Sequence, residues 1–435
     1  MKKLLALLLT LVMAISVVSI VPTVSAKSKM YKSNNCCYTL DKNGYATVIA
    51  ISPTASGATI YKANNFEYIK LGGNKARVTA YIGKNTTVVV PSKLDNNTVT
   101  EIGNNILRYN RNVKSILFPN SVKKFVQLPL YGAKKLEKVT IGKGIKKIPN
   151  CFFEDCKALK NYTIPSHIES IGIGVFPDTL QSLTVGKSLK KFDEIPTLNN
   201  RNLKEFKVSR NNKYFSSRDG VLYNKNKTKI VAYPNGKKTT QIAIPKKVNT
   251  IGELSFAYQR YLKKVTFSKN VKKIEKMAFL NCEKLSSINI PKNIITIDRQ
   301  AFAGCKSVSK LTINSNKKLS IGYGAFSELN KLKSLQVPVV KGNNVFSECK
   351  NLNYIYIPSN VKTIYAYEFV DCPKLKTVTI PKTVKRIGKN SLGYCHGEYY
   401  EPEYVKVKGF TIRGYKGSAG EKYAKQNGFK FVKIG

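Results

Sequence analysis

The sequence has few of the residues on which catalytic sites usually depend. It contains 2 His and 25 Asp plus Glu in 435 residues. His167 lies within a repeated segment and His396 lies near Glu398 and Glu401, and neither belongs to a motif that supplies a nucleophile. The Gly-x-Ser-x-Gly elbow, the phosphate-binding loop, the His-Glu-x-x-His helix and the calcium loop are all missing from the sequence. We therefore predict a non-enzymatic protein with no catalytic residue, metal site or cofactor.

The cysteines lack the spacing of a zinc site, which needs pairs of ligands at short loop spacing. Cys36 and Cys37 are the only adjacent pair among the nine cysteines, and the sequence leaves their redox state open. Six others follow an apolar residue, usually Phe, at a distance of three residues: Cys156, Cys282, Cys305, Cys349, Cys372 and Cys395. Because free cysteine packs as a small hydrophobic residue, we expect these six thiols to form a ladder in the core.

Acidic residues are scarce beside 74 Lys plus Arg, which gives a net charge of +49. Such a charge attracts polyanions without specifying which one. Lysine far outnumbers arginine, and arginine is the residue that reads bases and phosphates by paired hydrogen bonds. The composition therefore argues against sequence-specific binding of nucleic acid.

The sequence has a single long apolar run, at its start. Lys2 and Lys3 precede an apolar stretch over residues 4–21, and the small residues Val24-Ser25-Ala26 follow it. This order predicts a secretory signal peptide over residues 1–26, and a membrane anchor is the alternative. Removal of the two lysines leaves a charge of about +47 by the same count. We expect a secreted, extracellular protein with no transmembrane segment in the mature chain.

A short sequence pattern recurs through most of the chain. An aliphatic residue with Pro, a branched residue, Ile-Gly, Ala-Phe and Cys follow one another in the segments 290–305, 357–372 and 380–395. Corresponding residues lie at 244, 267, 290 and 313, which gives a step of 23 residues. A fixed period of this length predicts stacked units that bury one another's apolar faces. We therefore predict an α/β-type repeat solenoid over residues 86–395, mostly β and irregular, with a parallel sheet of about a dozen strands.

The regions outside this period predict two caps. Residues 27–85 contain short β-prone runs separated by Gly, Asn and Ser, which indicates an N-terminal β-rich cap. Residues 396–435 form the predicted C-terminal cap. Ser418 and Glu421 there have capping-box spacing and Gly428 can end a short helix.

The period is interrupted once, between Val208 and Ile244, which lie 36 residues apart. The insertion, at about residues 209–240, contains two β-prone runs around a polar turn. We interpret it as a short β-hairpin that leaves the solenoid. Two roles stay open, a binding feature or a seal over a kink in the array.

The outward positions of the predicted strands are candidates for ligand binding. Most of them are hydroxyl, amide and lysine side chains, a chemistry that suits hydrogen bonding to sugars or extended chains. Threonine is also simply a good residue for a solvated strand. Aromatic residues are favoured contact anchors. The candidate ligand-binding residues are Tyr354, Tyr356, Lys138, Lys207, Lys264 and Lys310.

Other lysines cluster in the turn after each predicted strand. Stacking of the units would align them along one edge, and such a basic ridge matches a linear polyanion. The alternative is that these lysines are simply exposed to solvent along one edge and bind no ligand. The ridge residues are Lys146, Lys147, Lys190, Lys191, Lys272, Lys273, Lys385 and Arg386.

The repeat pattern xLxxVxIPxxVxxIGxxAFxxC resembles that of the BspA-type leucine-rich repeat proteins, which are secreted or surface proteins of bacteria. The resemblance covers about residues 86–395, and the segments 212–223 and 414–419 also look like segments of that family. It implies a right-handed superhelix with the parallel sheet on its concave face. It also implies adhesion or binding at a cell surface.

These observations lead to three functional hypotheses. The first is a secreted, non-catalytic binding or adhesion protein, monomeric, whose partner is an extracellular macromolecule such as a host or cell-surface protein or a glycan. The second is electrostatic attachment to the producer's own anionic cell-wall polymers. The third is an enzyme or inhibitor built on the hairpin and the N-terminal segment.

Overall fold

The computed structural model describes residues 30–33, 36–40, 46–51, 58–193, 200–314, 319–338, 342–397 and 403–435, with the backbone alone for those between 30 and 51. The signal peptide predicted over residues 1–26 lies outside the described residues. The chain divides into two compact units. The first unit comprises Met1–Lys160 with His167–Pro177, and the second comprises Asn161–Ser166 with Asp178–Gly435.

The first unit begins with two antiparallel meanders, β1-β2-β3 and β4-β5-β6, and continues with short parallel strands. Its strands are β1 Met30–Ser33, β2 Cys36–Leu40, β3 Ala46–Ile51, β4 Tyr61–Ala63, β5 Phe66–Lys70, β6 Lys75–Tyr81, β7 Thr87–Val89, β8 Lys93–Leu94, β9 Asn97–Ile102, β10 Ser115–Leu117, β11 Lys124–Phe125, β12 Lys138–Thr140, β13 Lys147–Ile148 and β15 Ser170–Ile171.

The second unit is built almost entirely of short strands, with one helix near its end. Its elements are β14 Asn161–Thr163, β16 Ser182–Val185, β17 Lys191–Phe192, β18 Glu205–Val208, β19 Phe215–Arg218, β20 Val221–Asn224, β21 Lys229–Ala232, β22 Gln241–Ala243, β23 Thr250–Ile251, β24 Lys264–Thr266, β25 Lys273–Ile274, β26 Ser287–Ile290, β27 Thr296–Ile297, β28 Lys310–Ile313, β29 Ser320–Ile321, β30 Ser334–Gln336, β31 Tyr354–Tyr356, β32 Thr363–Ile364, β33 Thr377–Thr379, β34 Arg386–Ile387, β35 Tyr394–His396, β36 Tyr404–Lys406, β37 Thr411–Gly414, α1 Ala419–Asn427 and β38 Lys430–Lys433.

Each repeat contributes one strand to a set that we call the face ladder. In β24 the central Val265 is buried between exposed Lys264 and Thr266. This alternation is typical of a strand with one face in the core and the other exposed to solvent. Ser287 of β26 pairs in parallel with Lys310 of β28, 23 residues later. The predicted parallel solenoid is confirmed, because the pairing register equals the sequence period.

A second set, the edge ladder, consists of strands that are mostly two residues long, in which an exposed or half-buried residue precedes a buried aliphatic one. Lys273 and Ile274 of β25 pair in parallel with Thr296 and Ile297 of β27. The register is again 23 residues, so the edge ladder follows the same period as the face ladder.

Phenylalanines stack through the core of the second unit. The rings of Phe256, Phe279 and Phe302 follow one another with centroids 4.9 and 5.0 Å apart and planes tilted by 15° and 2°. The stack continues through Phe326, Phe346 and Phe369 at 5.4, 5.8 and 5.7 Å. Each ring is thus covered by the ring of the next coil, as the repeated Ala-Phe pair predicts.

The thiols lie beside these rings and are free. The Cys282 thiol donates to the Phe256 carbonyl at 3.1 Å, and the Cys305 thiol donates to the Phe279 carbonyl at 3.3 Å. Cys156, Cys349 and Cys372 make the same kind of bond to a carbonyl of the preceding coil. The predicted core ladder is confirmed for these five. It holds only in part for Cys395, which packs against the core but is half-buried, because β35 pairs antiparallel with β36 instead of continuing the coil.

These buried thiols should be inert in the folded protein. Burial raises the pKa of Cys156 to about 12 and that of Cys305 well above its ordinary range. Because the thiolate is the reactive form, we expect the five core cysteines to resist alkylation in native buffer and to react fully in urea. Peptide mapping of the alkylated protein checks this result. Rapid labelling of any of the five under native conditions would contradict it.

The insertion forms the predicted hairpin but does not leave the solenoid. The two predicted runs, β20 and β21, pair antiparallel, and β19 also pairs antiparallel with β20 around Asp219 and Gly220, which both have positive φ. Lys229 of β21, however, pairs in parallel with Thr250 of β23. The prediction of a protruding hairpin is wrong, because Ile230 and Ala232 are buried and β21 serves as a strand of the edge ladder.

The C-terminal helix forms as its sequence predicts. The Ser418 side chain accepts a hydrogen bond from the backbone N–H of Glu421, and Gly428 ends the helix in the left-handed conformation at φ 63°. Across the part of the chain that the structure describes, none of the helices has the length and apolar character needed to cross a membrane.

Candidate functional site

Two tyrosines of strand β31 project from the face ladder. Tyr354 is 57% exposed and Tyr356 is 53% exposed, whereas Ile355 between them is 4% exposed. Residues two apart on a strand point to the same side, so the two rings share one surface. Ser334 and Gln336 of β30 are their register partners. The surface is therefore an aromatic pair beside hydroxyl and amide groups.

The four candidate lysines occupy three different environments. Lys264 and Lys310 are exposed at equivalent positions of β24 and β28, with Ser287 of β26 as the register neighbour of Lys310. At about 4.8 Å per strand the backbones of Lys264 and Lys310 lie roughly 10 Å apart. Lys138 has the equivalent position in β12 of the first unit.

Lys207 is not a free cation. Its ammonium lies 2.8 Å from a carboxylate oxygen of Glu205 on the same strand. This hydrogen bond from Lys207 holds the pKa of Glu205 below its ordinary value. The exposed pair stabilises the fold little, but it makes Lys207 the weakest of the candidate lysines for an anionic ligand.

A polar groove beside the insertion was not found by sequence reasoning. It has a volume of about 320 Å³. Phe206 donates its backbone N–H to the Gly220 carbonyl at 2.9 Å, which folds the insertion over β18. The Ser182 hydroxyl donates to the Glu205 carboxylate at 3.0 Å. The lining residues are Asn161, Gln181, Ser182, Lys204, Glu205, Asp219, Gly220 and Lys237.

The ridge residues lie at the first position of an edge-ladder strand or directly before it, and an aliphatic or aromatic residue follows them. They do not form a continuous ridge. Lys273 has Thr250 and Thr296 as register partners, and Arg386 has Thr363. In the first unit Lys147 is paired with Ser170, and Lys146 precedes it.

Carboxylates neutralise part of this edge. Lys191 lies 2.9 Å from Asp193, and Lys273 lies 3.7 Å from Glu275. The exposed Lys272 and the exposed pair Lys385 and Arg386 have no ion-pair partner among the described residues. The edge therefore carries separate positive sites at Lys272 and at the pair Lys385 and Arg386, and Lys190 is exposed beside Lys191.

The two histidines lie in different units. Burial lowers the pKa of His167. The Nδ1 atom of His396 lies 2.5 Å from an Asp371 carboxylate oxygen, and its ring packs on Tyr404 at 4.8 Å. Within the described ranges no three His, Cys, Asp or Glu side chains are grouped so as to hold a metal ion.

The repeat geometry agrees with a comparison of the sequence with known families. The model of the BspA type leucine rich repeat region matches residues 81–204, 226–341 and 339–398 in six copies. The chain belongs to the BspA-type leucine-rich repeat family. No curated protein matches this BspA-type protein.

Solved structures share the fold of the BspA-type protein. A leucine-rich repeat protein from Eubacterium ventriosum has 21% identity and a TM-score of 0.54, and the match covers 81% of this chain and 99% of the other. The pneumococcal vaccine antigen PcpA has 21% identity and a TM-score of 0.53, with 87% and 99% covered. At this identity the likeness shows the fold.

Proposed function

We propose that this chain is a secreted, non-catalytic binding or adhesion protein that uses its face ladder to contact an extracellular macromolecule. The observation that carries the proposal is the exposed pair Tyr354 and Tyr356, held on a rigid strand by buried Ile355. The signal-peptide sequence at residues 1–26 supports secretion. Surface and secreted relatives in the family support the same location.

The chemistry of this surface suits a protein or a glycan. Tyrosine offers a large contact area with a polar end and little conformational freedom to lose. Ser334 and Gln336 on one side add hydroxyl and amide groups that donate and accept hydrogen bonds. Lys264 and Lys310 extend the surface toward anionic groups of the same partner.

Removal of the two rings should abolish most of the binding. We expect the Tyr354→Ala, Tyr356→Ala double variant to lose at least about tenfold in affinity, which corresponds to about 1.4 kcal/mol. The ligand is first identified with an array of matrix proteins and glycans, using the mature chain at two salt concentrations. Its affinity for each variant is then measured by calorimetry.

The matched control removes two tyrosines of similar exposure outside the face ladder. Tyr323 and Tyr214 are 50% and 45% exposed. The Tyr214→Ala, Tyr323→Ala variant should bind like the unchanged protein. An equal loss of affinity in both double variants would show that Tyr354 and Tyr356 are not the contact site.

Electrostatic attachment to anionic wall polymers is a second candidate function, which the unpaired Lys272, Lys385 and Arg386 favour. Binding by such cations weakens as salt is added. We expect the Lys272→Glu, Lys385→Glu variant to elute from purified anionic wall polymer at lower salt than the unchanged chain. A variant with the same charge change elsewhere, Lys416→Glu with Lys425→Glu, is the control. Identical elution of the two variants would indicate attraction by net charge alone.

A further inference from the structure

The N-terminal region contains the same module twice. Residues 30–51 align with residues 60–81 at an offset of 30 without a gap, and 8 of the 22 positions are identical. The identical pairs are Tyr31 and Tyr61, Lys32 and Lys62, Asn34 and Asn64, Asn35 and Asn65, Tyr38 and Tyr68, Ala46 and Ala76, Val48 and Val78, and Ala50 and Ala80. We call residues 30–51 the first module and residues 60–81 the second module.

The strand pairing of the two modules is also the same. Tyr31 pairs with Tyr38 in the first module, and Tyr61 pairs with Tyr68 in the second. In each module the next hairpin has its register shift at one equivalent place, between Cys37 and Tyr38 and between Glu67 and Tyr68. A β-bulge is a specific backbone feature, so its recurrence at an offset of 30 indicates a duplicated structure.

The first turn of the second module has a sequence reason. Asn64 and Asn65 both have positive φ, at 49° and 64°. Two central residues with positive φ are the requirement of a type I′ hairpin turn, which asparagine tolerates well. The first module has the same dipeptide, Asn34-Asn35, between β1 and β2.

The second module caps the solenoid through the edge of β6. Lys75 and Ala76 pair in parallel with Thr98 and Val99 of β9. The Gly103 N–H donates to the Val78 carbonyl at 2.7 Å, and the Tyr81 N–H donates to the Ile106 carbonyl at 2.7 Å. We call this edge of β9, with residues 103–106, the docking edge.

Several buried residues of the second module have identical counterparts in the first module. Tyr68, Ala76, Val78 and Ala80 are fully buried, and the Tyr68 hydroxyl donates to Asp95. All four positions hold the same residue in the first module, at 38, 46, 48 and 50. Four buried residues of the second module are therefore encoded twice.

The equivalent strand of the first module has an open side. Its sheet has the order β1-β2-β3, so in the part of the chain that the structure describes β3 is an edge strand, whereas β6 lies between β5 and β9. We infer that residues 30–51 are a second capping module, interchangeable with residues 60–81 on the docking edge. The chain thus carries two modules for one docking edge.

Deletion of one module tests this inference. Removal of residues 52–81 joins Ile51 to Ile82 and places the first module at the sequence distance from β9 that the second module has in the full chain. We expect this variant to fold, with a thermal midpoint within a few degrees of that of a chain that begins at Ala58 and keeps only the second module. A chain that begins at Ile82, with no module, is the negative control and should be markedly less stable.

A tyrosine substitution distinguishes docking from mere tolerance of the deletion. In the deletion variant, Tyr38→Ala should lower the midpoint by about 5 °C or more, the same effect that we expect of Tyr68→Ala in the full chain. In the full chain, Tyr38→Ala should leave the solenoid midpoint unchanged. The inference is wrong if the deletion variant is no more stable than the chain without modules, or if Tyr38→Ala leaves its midpoint unchanged.

Discussion

We expect the Glu368→Gln variant to be more stable than the unchanged protein above pH 8 and to lose most of the pH dependence between pH 5 and pH 8. Glu368 is 3% exposed, and it occupies the place that Ala301 and Ala325 have in other coils. Its Oε2 atom has no hydrogen-bond partner among the described residues. Burial raises the pKa of Glu368 to about 8, so the folded protein holds this carboxyl group in its neutral form at pH 7.

The direction of this pH dependence follows from the number of protons that the folded and unfolded states bind. The ordinary pKa of 4.5 applies to the unfolded chain, so between pH 4.5 and pH 8 the folded state binds one more proton. Stability contributed by this group is therefore fully present below pH 4.5 and is lost as the pH rises to 8. At about 1.4 kcal/mol per pKa unit the loss is roughly 5 kcal/mol.

Urea midpoints at pH 5, 7 and 9 measure this effect. The control is Glu283→Gln, because Glu283 is exposed and pairs with Lys306 at 2.9 Å, so its loss should change stability by about 0.5 kcal/mol. Burial, then the charges of Glu328 and Asp371, raises the pKa of Glu348 to about 7, and this contribution is common to both proteins. Parallel pH profiles for Glu368→Gln and the unchanged chain would contradict the prediction.

We expect Phe302→Ala to destabilise the protein by about 3–5 kcal/mol. The Phe302 ring is 5.0 Å from Phe279 and 5.4 Å from Phe326, and it is buried. Its truncation removes one ring from a continuous stack and leaves a cavity between two coils. Because each repeat contacts only its neighbours, the damage should appear as early unfolding of the second unit in urea.

Two substitutions calibrate this result. Phe302→Leu keeps most of the volume and should cost about 1–2 kcal/mol. Tyr356→Ala truncates an exposed aromatic residue on the face ladder and should cost about 0.5 kcal/mol or less. A Phe302→Ala variant as stable as Tyr356→Ala would show that the stack does not hold the coils together.

The repeated part of the fold could be predicted from the sequence because a coil stacks on a copy of itself. Val265 lies inside because its neighbours Lys264 and Thr266 are polar, and the same alternation recurs in strands of other coils, such as β12 and β33. The helix 419–427 depends on Ser418 and Gly428, which lie beside it in the sequence. The exposed positions of Tyr354 and Tyr356 follow from the same local pattern.

The sites that break the repeat could not be predicted in this way. The ion pair of Lys207 with Glu205, the return of β21 into the edge ladder and the groove beneath Gly220 all involve residues without a counterpart in other coils. The amino-acid sequence by itself determined the period, the parallel stacking and the buried aromatic and thiol columns. Only the tertiary structure decided which lysines stay unpaired, where the insertion lies and what surrounds Glu368, because those outcomes depend on contacts between residues that no periodicity relates.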